Sequence, residues 1–192
     1  MRNYRKHEIR QEMIALRKQM SKEQVEVLSE KIISTLTKLP IFKESKSIML
    51  YLSFDNEVDT FKLIQLCKDL GKNVIVPFCI DDGKRIVPTE IKSVEKDLVK
   101  SSFGYLEPKA ELVKPVSTES IDLIILPGLA FDRGCFRVGF GAGYYDRFLS
   151  KLCFTIPTIG LAYDYQILEY IATEEHDMPV DYVVTDSRII IR

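Results

Sequence analysis

Ile121–Gly128 reads IDLIILPG, an unbroken aliphatic run after Asp122 that ends at a proline–glycine break. Apolar runs without alternation mark strands buried on both faces. Ser47–Ser53 (SIMLYLS) reads the same way, and Asn73–Cys79 (NVIVPFC) and Thr155–Ala162 are further strands. Between them the period lengthens. Residues 3–20 place Ile9, Met13, Leu16 and Met20 at helical spacing. Ser21 and Gln24 form a capping box for a second helix, which carries Val25, Leu28, Ile32, Leu36 and Leu39 on one face and stops before Pro40. Further helices are expected at 60–70, closing on Gly71, at about 143–151, and near Gln166–Ile171. Arg85–Ile91 reads as a strand near an edge, because Pro88 cannot donate to a ladder. Residues 93–118 are polar and irregular, and Tyr182–Thr185 and Arg188–Ile191 are the last strands. Buried strands alternating with helices make an α/β fold with a mostly parallel sheet covered on both faces. Ligands of such sheets gather at the carboxyl ends of the strands. No repeat, low-complexity segment or linker divides the chain, so residues 1–192 are expected to form a single domain.

Charge excludes several classes of partner. Lysine and arginine total 27 against 28 acids, a net charge of -1, so nothing supports general binding to nucleic acid or membrane. The apolar runs are far shorter than the roughly 20 residues that span a bilayer. Locally, the first 20 residues hold Arg2, Arg5, Lys6, Arg10, Arg17 and Lys18 against Glu8 and Glu12. Such a stretch is either a solvated helix face or an arm that meets a polyanion such as a nucleoside triphosphate, and composition alone favours the former. Cys67, Cys79, Cys135 and Cys153 lie far apart with only His7 and His176 to join them, which argues against a zinc site. With no secretory signal in view, reduced thiols and a cytoplasmic location are expected.

The chemistry is concentrated in Leu126–Leu149, LPGLAFDRGCFRVGFGAGYYDRFL. Gly139, Gly141 and Gly143 alternate with other residues, and Tyr144-Tyr145-Asp146-Arg147 opens a helix. Glycines let a backbone turn sharply and approach a ligand, and their amides can hold phosphate. Arg137 could add a charge-assisted bond to a phosphate oxygen, and Asp146 could hold a magnesium ion riding on those phosphates. Neither the P-loop nor the dinucleotide fingerprint has this spacing. A glycine-rich turn without a ligand is the competing reading, and the arginine, the carboxylate and the following helix favour phosphate over it.

These residues resemble a known family. RVGFGAGYYDR is similar to the signature of 5-formyltetrahydrofolate cyclo-ligases, and the resemblance runs on through Lys6 and Arg10 (K-x-x-x-R), YLSFDNEVDT, FGYLEP, ILPGLAFD and HDMPVDYVVT, in order and over nearly the whole chain. It implies a three-layer α/β/α sandwich related to sugar-phosphate isomerases and CoA transferases, with ATP, Mg²⁺ and 5-formyltetrahydrofolate as ligands. It further implies that Lys6 and Arg10 touch the nucleotide phosphates, and that Arg137, Val138, Gly139, Phe140, Gly141, Ala142, Gly143, Tyr144 and Tyr145 form the phosphate loop, partly shared with the folate. Asp146 and Asp177 would bind magnesium, and Leu52 and Glu57 would line the folate pocket. Many relatives carry a basic side chain at the positions of Phe140 or Ala142. Here both are apolar, so charge neutralisation falls on Arg137, Lys6, Arg10, Arg147 and the metal.

The expected reaction phosphorylates the formyl oxygen and lets N10 displace it. It needs positioning and charge neutralisation rather than a protein nucleophile, with Arg137, Tyr144 and Tyr145 as the catalytic candidates. Phe103, Tyr105, Tyr144 and Tyr145 are candidates to stack on the folate rings, the last two favoured by the loop they follow. Without the resemblance, Glu57 would read as a turn acid and Asp177 as part of a solvated acidic segment. A monomer is expected, since no coiled coil appears. Two alternatives stand beside this reading: a sugar-phosphate isomerase or acyl transferase of the same fold, and a non-catalytic module that binds folate or nucleotide and regulates a partner.

Overall fold

The computed structural model describes residues 6–101, 104–153 and 155–192. Helix α1 (Lys6–Gln19) is followed by α2 (Lys22–Leu36), which starts with the expected capping box: Ser21 Oγ accepts the Gln24 amide and the Gln24 side chain accepts the Ser21 amide. Pro40 does not merely end α2. It sits at the first turn of a short helix α3 (Pro40–Glu44), where a missing amide proton costs nothing. Then come β1 (Ser47–Leu50), α4 (Thr60–Asp69), β2 (Asn73–Ile80) and β3 (Arg85–Glu90). The SIMLYLS run leaves the sheet early because Thr60 Oγ1 donates to the Tyr51 carbonyl and accepts the Ser53 amide, replacing the strand ladder.

Residues 93–118 hold more order than their polarity suggests. They form α5 (Val94–Asp97), a hairpin of β4 (Leu98–Lys100) and β5 (Leu106–Pro108), and 3₁₀ turns at Ala110–Leu112 and Thr118–Ser120. After β6 (Leu123–Leu126), the stretch expected as a loop is a second hairpin, β7 (Ala130–Asp132) and β8 (Arg137–Val138). Buried Asp132 makes the turn, its Oδ1 accepting the Gly134 and Phe136 amides. Helix α6 (Tyr144–Leu149) and β9 (Thr158–Leu161) follow.

The helix expected near Gln166–Ile171 is instead a 3₁₀ turn, Asp164–Gln166, and a strand β10 (Ile167–Leu168) paired with β7. Side-chain bonds override the periodicity there. Buried Gln166 donates to the Gly128 and Leu129 carbonyls and accepts the Tyr163 amide, while Asp132 Oδ2 accepts the Ile171 amide. The chain closes with β11 (Tyr182–Val184) and β12 (Ile189–Ile191), antiparallel to each other.

The main sheet has seven strands in the order β12-β11-β9-β6-β1-β2-β3, parallel except for β3 and β12 at its edges. Alternate strand residues serve opposite faces. Ile48, Leu50, Val74, Leu123 and Ile125 pack with α2, α3 and α4, whereas Met49, Ile75, Ile124 and Leu126 pack with α6 and Phe131 of β7. Phe131 lies so close to β9 that a Cβ on Gly160 would stand 2.4 Å from its ring. Helix α1 packs outside the small sheet, burying Ile9 and Met13 against Ala130 and Val138. The three layers are therefore helices, sheet, and a mixed layer of α6 with the β10-β7-β8 sheet.

Candidate active site

The chain leaves β1 toward β2 on one side and leaves β6 toward β9 on the other. Two adjacent parallel strands that lead apart leave a crevice beyond their carboxyl ends, the place where such folds bind ligands. A cavity of about 490 Å³ opens there, floored by Tyr51 and Leu52 after β1 and by Pro127 and Gly128 after β6. This volume lies within the range of small-molecule sites.

One wall is the glycine loop. Strand β8 presents Arg137 and Val138, and Gly139 through Gly143 carry the wall to α6. Gly141 has φ +102 and Gly143 φ +69, which only glycine adopts without strain. Arg137 is buried; its Nη2 donates to Asp146 Oδ1 at 3.0 Å, and its guanidinium lies 5.6 Å from the Tyr145 ring centroid. Burial lowers the Arg137 pKa, and the Asp146 carboxylate opposes that shift. Arg137 Nε has no partner among the described residues. Helix α6 is only six residues long, so an anion at this wall would depend on the cations and the loop amides rather than on a helix dipole.

Helix α1 forms the facing wall. Lys6 Nζ reaches Asp177 Oδ2 at 2.5 Å and Glu174 at 3.4 Å, and Arg10 Nε donates to the Gly139 carbonyl at 2.8 Å. The basic stretch is thus no uniformly solvated face, since Lys6 and Arg10 line the cavity; Arg2 and Arg5 lie outside the described residues. Burial pushes the Asp177 pKa up, but the Lys6 bond and the Glu174 amide outweigh it and leave the carboxylate below its ordinary range.

The third wall is aromatic and acidic. Phe54 lies 5.3 Å from Phe140 and 5.7 Å from Tyr105, ring centroid to centroid, in a tilted row above Leu52 and Glu57. Glu57 is buried, with Oε2 accepting the Phe54 amide and Oε1 meeting Arg17 Nη1 at 3.3 Å. Burial raises its pKa to about 7 against the pull of Arg17. Tyr144 donates its hydroxyl to Asp81 Oδ1 at 2.6 Å, a bond that with burial pushes its pKa up to about 12. The Tyr145 hydroxyl is buried without a partner among the described residues, and burial raises its pKa further still.

Of the residues expected to act here, the fold brings Lys6, Arg10, Leu52, Glu57, Arg137 to Asp146, and Asp177 to one cavity. Arg147 turns away, donating to the carbonyls of Ala142 and Lys84, and does not line it. Phe103 lies outside the described residues. Three participants escaped the sequence reading: Phe54, Asp81 and Arg17. Arg17 had a signal. The expected stripe of α1 passes through Leu16, but Leu16 is 39% exposed and Arg17 is 1% exposed, four residues beyond buried Met13.

A family model described as the 5-formyltetrahydrofolate cyclo-ligase family matches residues 2–186. The chain belongs to this family. The 5-formyltetrahydrofolate cyclo-ligase of Mus musculus is 33% identical, with 94% of this chain and 91% of the relative covered, and that of Haemophilus influenzae is 30% identical, with 94% and 97% covered. Among solved structures, the 5,10-methenyltetrahydrofolate synthetase of Aquifex aeolicus superposes with a TM-score of 0.83 at 35% identity, covering 97% of this chain and 92% of that one. Membership of the cyclo-ligase family makes the protein an enzyme, a ligase of folate metabolism. It also sets aside the isomerase and acyl-transferase alternatives. No helix among the described residues is long and apolar enough to cross a membrane.

Proposed function

We propose that the protein converts 5-formyltetrahydrofolate to 5,10-methenyltetrahydrofolate, consuming ATP and releasing ADP and phosphate. The observation that carries this reading is one cavity with two unlike halves. Lys6, Arg10 and Arg137 surround the glycine loop, while Leu52, Phe54, Tyr105 and Glu57 line an aromatic and acidic recess beside it. The first half suits a triphosphate and the second a flat, hydrogen-bonding heterocycle.

An N-formyl oxygen is a poor leaving group, and the amide carbon is a weak electrophile. Transfer of the γ-phosphoryl group to the formyl oxygen corrects both defects. N10 then attacks the formyl carbon and gives up its proton to water, the carbon–oxygen bond to phosphate breaks, and the ring closes as the methenyl cation. Phosphoryl transfer of this kind needs alignment and charge neutralisation, and alignment alone can lower a barrier by about 7–11 kcal/mol. Arg137 stands where charge builds on the transferring group, held by Asp146 and the Tyr145 ring. Lys6 and Arg10 are aimed across the loop by Asp177 and Gly139. Glu57 accepts N–H donors of the pterin. The active protein is proposed to be a monomer.

Magnesium fits this donor set in a particular way. Among the described residues no three acids, histidines or cysteines converge on one point, so these residues do not supply a full cage. Two carboxylates do stand together: Asp146 Oδ1 accepts the amide of Met178, the residue after Asp177, and Asp146 Oδ2 has no partner among the described residues. Magnesium is typically held by one or two carboxylates together with substrate phosphates and water. Asp146 and Asp177 would hold it, and it would supply charge neutralisation of the phosphates.

The test is to mix purified protein with 5-formyltetrahydrofolate, Mg²⁺ and ATP and follow the near-ultraviolet absorbance of the methenyl product. ATP-dependent product supports the reading. Folded protein that forms no product overturns it.

A further inference from the structure

Arg17 has no part in the reaction as written, yet it is among the largest side chains that the fold buries completely. It does not line the main cavity, so it cannot touch either substrate there. Its Nη1 reaches Glu57 Oε1 at 3.3 Å, its guanidinium carbon lies 5.4 Å from the Phe140 ring centroid, and its Nε and Nη2 have no partner among the described residues. A buried guanidinium with two unanswered nitrogens costs stability. Where stability alone is at stake, apolar residues of similar volume usually do as well or better. The backbone around the pair is also fastened for it. Asn56 Nδ2 donates to the carbonyls of Arg17 and Met20, and Asp55 and Asn56 both adopt left-handed φ, +50 and +59, so that the turn before Glu57 is tied to the end of α1.

We propose that Arg17 is a positioning residue for the folate half of the cavity, holding the Glu57 carboxylate ionised and turned toward the N–H donors of the substrate from behind. The proposal rests on the folate reading of that half. The groups that face Glu57 are Arg17 from α1, Asp55 in its own turn, Tyr51 at the end of β1, Tyr145 from α6 and Tyr163 after β9; among them Arg17 is the cation. Burial already lifts Glu57 to about 7 with that cation in place. Loss of the cation raises it further, so that less of the protein carries an ionised Glu57 at neutral pH. The same helix aims Lys6 and Arg10 at the nucleotide half through bonds of their own, to Asp177 and to the Gly139 carbonyl, while the polar bond of Arg17 goes to Glu57, so its main effect is expected on the folate.

The experiment compares wild type, Arg17→Met, Arg17→Lys, Glu57→Gln and the Arg17→Met/Glu57→Gln double variant, measuring kcat and both KM values from pH 6 to 9. Arg17→Met is expected to raise KM for 5-formyltetrahydrofolate at least tenfold at pH 7. KM for ATP and kcat stay within threefold, and the rising limb of kcat/KM for the folate moves up by a pH unit or more. Arg17→Lys restores part of the loss. In the Glu57→Gln background the Arg17 substitution adds less than twofold. Equal rises in both KM values, an unmoved pH limb, or full additivity in the double variant would each reduce Arg17 to a structural role. If circular dichroism finds Arg17→Met unfolded, Arg17→Gln is read by the same criteria. Wild-type turnover with an unmoved variant profile overturns this proposal alone, whereas absence of wild-type turnover overturns the functional reading and the proposal together.

Discussion

Replacing Arg137 by alanine is expected to lower kcat/KM for ATP by about 10²–10³, and the structure sets that size. The side chain is 5% exposed, so its charge acts through little water, and its one polar partner among the described residues is Asp146 at 3.0 Å. A preorganised donor aimed at developing charge is worth roughly 2.7–4 kcal/mol in a shielded site. At about 1.36 kcal/mol per decade that is two to three decades of rate. Because charge spreads over the phosphoryl oxygens in the transition state, most of the loss belongs in kcat rather than KM. Folding suffers less. The variant loses a charged hydrogen bond of about 1.5–3 kcal/mol and a cation–π contact of roughly 0.5–2 kcal/mol. It also relieves a buried charge whose pKa burial already lowers. A net cost near 2 kcal/mol lowers Tm by roughly 4–8 °C in a chain of this size. The assay is methenyl formation at 25 °C, with Tm measured in parallel. Arg137→Lys, which keeps the charge but loses the planar fork, should fall between. Exposed Arg133, paired with exposed Glu169, is the control and should be silent when changed to alanine. An Arg137→Ala enzyme that is folded and within threefold of wild type refutes the placement of transferring charge at this wall.

Gly160→Ala would set a Cβ 2.4 Å from Cε1 and 2.7 Å from Cζ of Phe131, so overpacking of at least 1–3 kcal/mol should lower Tm by several degrees, and Phe131→Leu in the same chain should recover part of it; an unchanged melting curve contradicts the packing. Gly141→Ala meets the Arg10 guanidinium only at an ordinary 3.5 Å, so its cost is the φ of +102, about 1–3 kcal/mol, read as roughly a tenfold rise in KM for ATP with KM for folate little changed. Tyr144→Phe should reduce kcat less than tenfold and leave the pH–rate profile below pH 10 unaltered, because the bond to Asp81 keeps the hydroxyl protonated until about 12; a limb below pH 10 that vanishes in the variant makes Tyr144 its source.

The parallel core of the sheet was legible because its signal is local. LIIL is wholly apolar, SIML and NVIVP are apolar after their first residue, and the helices between them keep a clean period. Elements whose shape comes from distant partners were not. Nothing adjacent to Gln166 says that its amide will bond the Gly128 and Leu129 carbonyls and turn an expected helix into a strand. The β7–β8 hairpin hides for a related reason: its strands are three and two residues long, and its turn is made by the carboxylate of Asp132 rather than by a glycine–asparagine pair. Thr60 ending the β1 ladder belongs to the same class.

The site divides along the same line. The glycine loop could be read from the chain because its ligand-facing groups are covalent neighbours. What opposes the loop was reachable only through the resemblance, and its pairings not at all, because Lys6 and Asp177 are separated by 171 residues, Arg10 and Gly139 by 129, and Arg17 and Glu57 by 40. One helix makes all three connections. Lys6, Arg10 and Arg17 are spaced by four and seven residues, about one and two turns, so they fall along a single side of α1. A charge count treats them as one basic patch. The geometry separates them into three functions: a cation over the acidic segment, a clamp on the loop backbone, and a buried counter-ion to Glu57. Moving Arg17 by one position, to the site of Leu16 or Lys18, would leave composition and net charge untouched while turning it about 100° around the helix and out of the core. The spacing of these charges, and not their number, is what makes α1 part of the candidate site.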